Sequence, residues 1–173
     1  NHVVSALSIE LSDEQRSRLA RHDTVDPEAW RLYLNGRYHW NRKTEDGLLR
    51  AIEDFEKAAS RDPAFALPYA GLADAMAVLA VFNLRPPAVA FPRARSAARR
   101  AIELDDRLAE AHASLGHVAT QFDRDWREGE RLYRLALDLR PSYAQAVMWL
   151  ANNHLMQGRV PEALAAARPA RVL

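Results

Sequence analysis

The sequence has no cysteine, so disulfide frameworks, thiolate metal sites and cysteine nucleophiles are excluded, and stability has to come from packing. Glycine is scarce, six residues in 173, and no Gly-rich loop that could cradle a phosphate is present. Aromatic residues make up 8%, and few stretches alternate apolar and polar positions as a half-buried strand would. Charge of one sign is not in excess. With 24 Lys and Arg against 23 Asp and Glu, the net charge of +1 argues against a dedicated nucleic-acid binder. Long hydrophobic runs are missing too. Residues 75–84 are uncharged but cover only ten positions, about half of what a membrane-spanning helix requires. Residues 141–158 are uncharged but carry Gln145, Asn152, Asn153, His154 and Gln157, which hydrocarbon would not accept cheaply. No membrane segment is expected, and a cytoplasmic location is. The first residues lack the basic segment and apolar core of a signal peptide, and they begin at Asn1 rather than Met. Since the chain also ends at Leu173 within a helical pattern, it reads as a piece of a longer protein.

Alanine is what the sequence has in abundance, 32 residues, and alanine has the highest helix propensity. An all-α fold follows. The length suits one ordinary domain with a sizeable core. Three segments look alike: Phe55 to Pro63 as FEKAASRDP, Ala98 to Asp106 as ARRAIELDD, and Tyr133 to Pro141 as YRLALDLRP. A fourth begins with Ala163, Ala167 and Ala170. The recurring Ala58, Ala101, Ala136 and Ala170 stand 43, 35 and 34 residues apart, so the period approaches 34.

These residues resemble the tetratricopeptide (TPR) repeat, a helix-turn-helix unit of about 34 residues. Leu150, Ala151, Gly158, Ala163 and Ala170 fit the last copy without insertion. His112, Leu115, Gly116, Gly129, Tyr133, Ala136 and Pro141 fit the third with one extra residue. Tyr69, Leu72, Ala73, Met76, Ala94 and Ala101 fit the second, with about nine further residues expected between its helices around Leu84, Arg85, Pro86 and Pro87. Gly36, Ala51, Phe55, Ala58 and Pro63 mark the first, the most irregular. The resemblance implies a right-handed superhelical array of antiparallel helix pairs, an α-solenoid. Four repeats are expected at about 26–63, 64–106, 107–141 and 142–173, the last one truncated, after an N-terminal segment at 1–25. Small residues at repeated positions let helix axes approach closely, while Phe55 and Tyr133 fill the gaps between units.

Local signals agree. Asp26, Pro27 and Glu28 supply an N-cap oxygen, a residue with no N–H to leave unpaired and a first-turn acid. Asp125 and Glu128 have capping-box spacing, and Gly158 followed by Pro161 reads as a helix stop and restart. Ser12, Asp13, Glu14 and Gln15 would cap a short helix running to about Arg21. Pro92 and Pro169 fall inside expected second helices, where irregularity is predicted because each removes a ladder hydrogen bond.

No catalytic constellation is apparent, and neither a metal site nor a cofactor is expected. His112 and His117 are five residues apart, unlike the i, i+4 pair of a zinc-binding helix, so packing or surface roles suit them better. Asp123 and Asp125 resemble caps more than paired catalytic carboxylates. Arg124, Arg127, Arg131 and Arg134 form a basic stripe, but Glu128, Glu130 and Asp138 are interleaved with it, which suits a solvated outer face.

In TPR proteins the first helices of successive repeats line a concave surface that grips peptides. Carried over residue by residue, the resemblance implies a partner-binding groove of Trp30, Tyr33, Arg37 and Trp40 in the first repeat and Asp74 in the second. His117 and Gln121 follow in the third repeat, then Gln145, Met148 and Asn152 in the fourth. Trp30 and Trp40 fit repeat packing equally well. The Lys and Asn pattern that clamps a C-terminal carboxylate in one TPR specialisation is absent; Tyr33, Arg37, Ala70, Asp74, Ser114, Gln145 and Trp149 stand there instead. The run from Ala29 to Thr44, the segment YAGLADA from Tyr69 and the pair Asp125 and Trp126 resemble a narrower group. These are TPR arrays of bacterial multidomain regulators, which carry a TolB-like segment and a winged-helix, adenylate cyclase or protein kinase domain. The resulting expectation is a non-enzymatic protein-interaction module of a bacterial regulatory or signalling protein. The alternative is self-association through the terminal repeat, with an enzyme or metal protein less favoured still.

Overall fold

The computed structural model describes residues 26–167. The helix expected after Ser12 and the irregularity expected at Pro169 lie outside the described residues. Eight α-helices follow in order: α1 (Pro27–Asn41), α2 (Glu45–Arg61), α3 (Ala66–Val81), α4 (Pro87–Leu104), α5 (Ala109–Val118), α6 (Trp126–Leu139), α7 (Ala144–Met156) and α8 (Val160–Ala167). A π-helical turn, Ala119–Asp123, extends α5. Among the described residues there is no strand. Each odd-numbered helix packs against the even-numbered helix that follows it, and each pair packs against the next. The first helices α1, α3, α5 and α7 touch in sequence, whereas α2, α4, α6 and α8 make at most slight contact with one another. The array therefore closes on its first-helix side and opens on the other, the curvature of an α-solenoid.

The caps form as the sequence indicates. Asp26 Oδ1 accepts from the Glu28 and Ala29 amides at 2.9 and 3.1 Å, with Pro27 as first helical residue. Thr44 Oγ1 accepts from Gly47 at 3.1 Å, and Asp125 Oδ1 accepts from Glu128 at 3.0 Å. Gly158 has φ 73 and separates α7 from α8, a left-handed position that glycine fills without steric cost.

The three turns between repeats share one hydrogen-bond pattern. The amides of Asp62, Asp105 and Arg140 donate to Ala58, Ala101 and Ala136, and those of Phe65, Leu108 and Tyr143 donate back to Asp62, Asp105 and Arg140. The next helix thus starts behind a bulky side chain rather than a polar cap. Phe65 and Leu108 are buried there, so burial replaces side-chain capping at these starts.

Two expectations change. The additional residues of the second repeat lengthen its helices, 16 residues in α3 and 18 in α4, and leave a short connection at 82–86. Extra helical turns satisfy their own backbone groups, which a long loop could not do. In addition, α4 runs unbroken through Pro92. The carbonyl that loses a donor belongs to exposed Ala88 in the first turn, where solvent is at hand. The extra residue of the third repeat is taken up by the π turn, which ends at Arg124 with φ 60.

Phe55 is fully buried in the larger core cluster, which also holds Leu48, Ala51, Met76, Leu79 and Phe91. A Cβ placed on Gly36 of α1 or Gly71 of α3 would lie 2.5 or 2.6 Å from its ring. One phenyl group therefore keys two first helices to α2. We predict that Phe55→Ala costs about 3–5 kcal/mol in urea unfolding, and that Gly71→Ala destabilises although it raises helix propensity. A neutral or stabilising Gly71→Ala would show that the ring does not fix this spacing.

Candidate partner-binding groove

The concave face is assembled from α1, α3, α5 and α7, and the ten residues assigned to it divide by depth. Trp30 and Tyr33 are half-buried, with Trp30 5.7 Å and Tyr33 5.5 Å from Phe65 between ring centroids, so both brace the start of α3. Trp40 is buried, its indole N–H without a hydrogen-bond partner, and the Arg37 guanidinium lies 4.7 Å from its ring centroid. Asp74 is 1% exposed and His117 6% exposed. The His117 imidazole stacks on Trp149 at 4.3 Å and 15°, and burial pushes it down to about 4, so it is neutral at physiological pH. Arg37 is partly exposed, Gln121 and Gln145 are half-buried, and Met148 and Asn152 are exposed.

These side chains form two zones. Toward the fourth repeat the surface is uncharged: the Asn152 and Gln121 amide nitrogens approach Met156 Sδ at 3.5 and 3.7 Å, with Met148 nearby on α7. Exposed methionines give an apolar surface that adapts to different partners. Toward the first repeat the surface is charged. Arg37 Nη1 is 3.7 Å from Asp74 Oδ2, and the Ser114 hydroxyl of α5 donates to Asp74 Oδ1. Lys43, just beyond α1 with φ 53, sits over the Trp40 ring, and desolvation there lowers its ammonium to about 8.

Sequence reasoning missed part of this zone. Glu110 of α5 pairs with Arg140 at 2.6 Å, and the Arg140 guanidinium lies 4.0 Å from the Tyr143 ring centroid. Burial raises the Tyr33 phenol to about 12 and also raises that of Tyr143, so both stay neutral donors. The shared turn pattern that places Arg140 and Tyr143 was the available signal, since it recurs with Asp62 and Phe65.

The basic stripe is charge-laced. Arg131 pairs with Glu128 at 2.7 Å, Arg134 with Glu130 at 2.6 Å, and Arg159 with Glu130 at 2.9 Å. Among the described residues no group of three or more His, Asp or Glu side chains is placed to hold a metal ion, and no helix is long and apolar enough to cross a membrane.

No family model matches the chain. It is 27% identical over 133 residues to the transcriptional regulator HilA of Salmonella typhimurium (strain LT2), an alignment covering 77% of this chain and 24% of that protein. The chain thus spans about a quarter of the curated relative's length. A thermophilic TPR protein from Thermus thermophilus superposes with a TM-score of 0.68 at 24% identity, covering 88% of this chain and 76% of the other. The first TPR domain of Spaghetti (RPAP3), in a structure bound to the HSP90 peptide SRMEEVD, gives 0.57 at 20% identity, covering 76% and 94%. The fold is a TPR-like helical solenoid.

Desolvation raises the Asp74 carboxyl to about 6, against the pull of Arg37 and the Ser114 hydrogen bond. An unfolded aspartate ionises near its ordinary value, so between about pH 4 and 6 the native state holds the extra proton and loses stability as pH rises. Asp74→Asn should therefore be close to wild type at pH 4 and more stable by about 1–3 kcal/mol at pH 7.5, as measured by urea unfolding. A difference that does not change with pH would remove the buried charge as its cause.

Proposed function

We propose that the chain is a non-catalytic protein-interaction module, the TPR-like scaffold of a bacterial regulatory or signalling protein, whose concave face binds a peptide or a partner domain. The observation that supports this is the set of partly exposed Arg37, half-buried Gln121 and Gln145, and exposed Met148 and Asn152, carried by the inner row of helices and the π turn after α5. These groups offer hydrogen bonds and adaptable apolar surface without a nucleophile and base poised for chemistry. RPAP3 holds its peptide on the same fold, and the similarity to a transcriptional regulator supports the regulatory setting. A cytoplasmic location fits that setting. Neighbouring domains of the TolB-like, winged-helix, adenylate cyclase or kinase kind belong to the same proposal. Peptides selected from a random 12-residue display library on the full chain should lose at least tenfold in affinity with Arg37→Gln or Met148→Glu, while the thermal midpoint moves little. Selected peptides indifferent to both substitutions would place binding elsewhere.

A second reading is self-association through the terminal repeat, favoured by Leu155, Val160 and Leu164, each at least half exposed on α7 and α8. Light scattering at high protein concentration should then show a dimer that Leu164→Glu returns to monomer; a monomer throughout would dismiss this reading.

A further inference from the structure

Arg37 and Asp74 are poorly matched. At 3.7 Å their contact is longer than a hydrogen bond, and Asp74 Oδ2 is buried with no hydrogen-bond partner. Among the described residues the Arg37 guanidinium makes no hydrogen bond either. Its firm neighbour is the Trp40 ring, and it is 29% exposed. Arg140, the cation on the far side of the zone, is already committed to Glu110.

The other carboxylate oxygen is also oddly placed. Ser114 has one hydroxyl hydrogen but two acceptors, Asp74 Oδ1 and the Glu110 carbonyl at 2.9 Å. With Asp74 ionised, one of them goes without. With a proton on Oδ1, Asp74 donates to Ser114, Ser114 donates to Glu110, and the chain is complete. The charged groups facing Asp74 are Arg37 and Lys43 from α1 and its following turn and Glu110 from α5, and the neutral phenols of Tyr33 on α1 and Tyr143 before α7 also face it. The neighbouring α2 and α4 contribute Phe55, Phe91 and Ala94 to the core around α3.

The geometry points to an acidic polypeptide segment as the partner of this groove, its carboxylate taking Arg37 away from Asp74 while one proton from water settles on Asp74 and completes the Ser114 chain. This inference rests on the concave face being the binding surface. A paired Arg and carboxylate form two short, charge-assisted hydrogen bonds at about 2.8 Å, which the present contact does not supply. Lys43 lies over the same Trp40 ring as a second cation. Protonation removes the buried negative charge that Arg37 would otherwise leave unpaired. One O–H bond forms on Asp74 and one breaks in a hydronium ion of the solvent, which leaves as water; free protein, peptide carboxylate and one proton give the complex. Affinity must then rise on acidification, by at most about tenfold per pH unit.

The probes are peptides selected on the full chain at pH 6.5 from the 12-residue library. They should be rich in Asp and Glu, and Arg37→Gln should abolish their binding. From pH 7.5 to 5.5 affinity should improve several-fold in the wild type and stay flat, at the tighter level, in Asp74→Asn. Calorimetry of the wild type at pH 7 in phosphate and in Tris should show proton uptake on binding, a readout that needs no variant to fold, and no uptake would overturn the proton linkage. Peptides rich in Lys or Arg, or uncharged ones, that are displaced by Met148→Glu would overturn the acidic partner and leave the groove standing. An unchanged pH slope in Asp74→Asn would overturn the proton linkage. Peptides insensitive to every concave-face substitution would sink the groove reading and this inference together.

Discussion

The spacing of the inner helices depends on aromatic rings occupying room that glycine leaves free. Phe55 projects from α2 into the junction of Gly36 and Gly71, and Tyr133 meets Gly116 in the same manner one repeat pair further on. Both rings are fully buried. Because dense interiors tolerate little change in volume, each ring fixes the separation of the helices it touches. Arg37 of α1 comes within reach of Asp74 of α3 across the separation that Phe55 sets, and Ser114 of α5 meets the other carboxylate oxygen. The electrostatics of the concave face are therefore set by packing on the other side of the same helices.

Much of the architecture was legible because a repeat writes itself several times. Ala58, Ala101 and Ala136 of the alanine period are all fully buried in second helices, and the Asp26 and Asp125 caps and the Gly158 stop each correspond to a feature of the structure, while Ala170 lies outside the described residues. The second repeat was harder. Counting positions shows that residues are added, but whether they enlarge a loop or wind into helix depends on neighbours that bury them; Met76, Leu79, Ala90 and Phe91 find such neighbours. In the third repeat one surplus residue is absorbed by a wider helical turn. Sequence spacing alone does not separate that solution from a longer loop.

The groove was legible in direction but not in depth. Position within a repeat says which way Asp74 and His117 point, yet adjoining helices cover both almost completely. Trp30 and Trp40, which fitted packing and partner contact equally well, separate in the structure: Trp40 is buried and Trp30 retains partial exposure. Glu110 escaped notice because it meets Arg140 from the other helix of the same hairpin, 30 residues away in sequence. That pairing depends on tertiary geometry that no local window contains, whereas the turn joining Arg140 to Tyr143 is local.

The loose association of α2, α4, α6 and α8 has a mechanical consequence. Outer helices that bypass one another, each instead leaning on the inner helix of the following hairpin, make every hairpin-to-hairpin junction a joint of three helices. A turn of one hairpin on the next is therefore resisted at both of its helices, and the hollow keeps the width that the aromatic wedges give it.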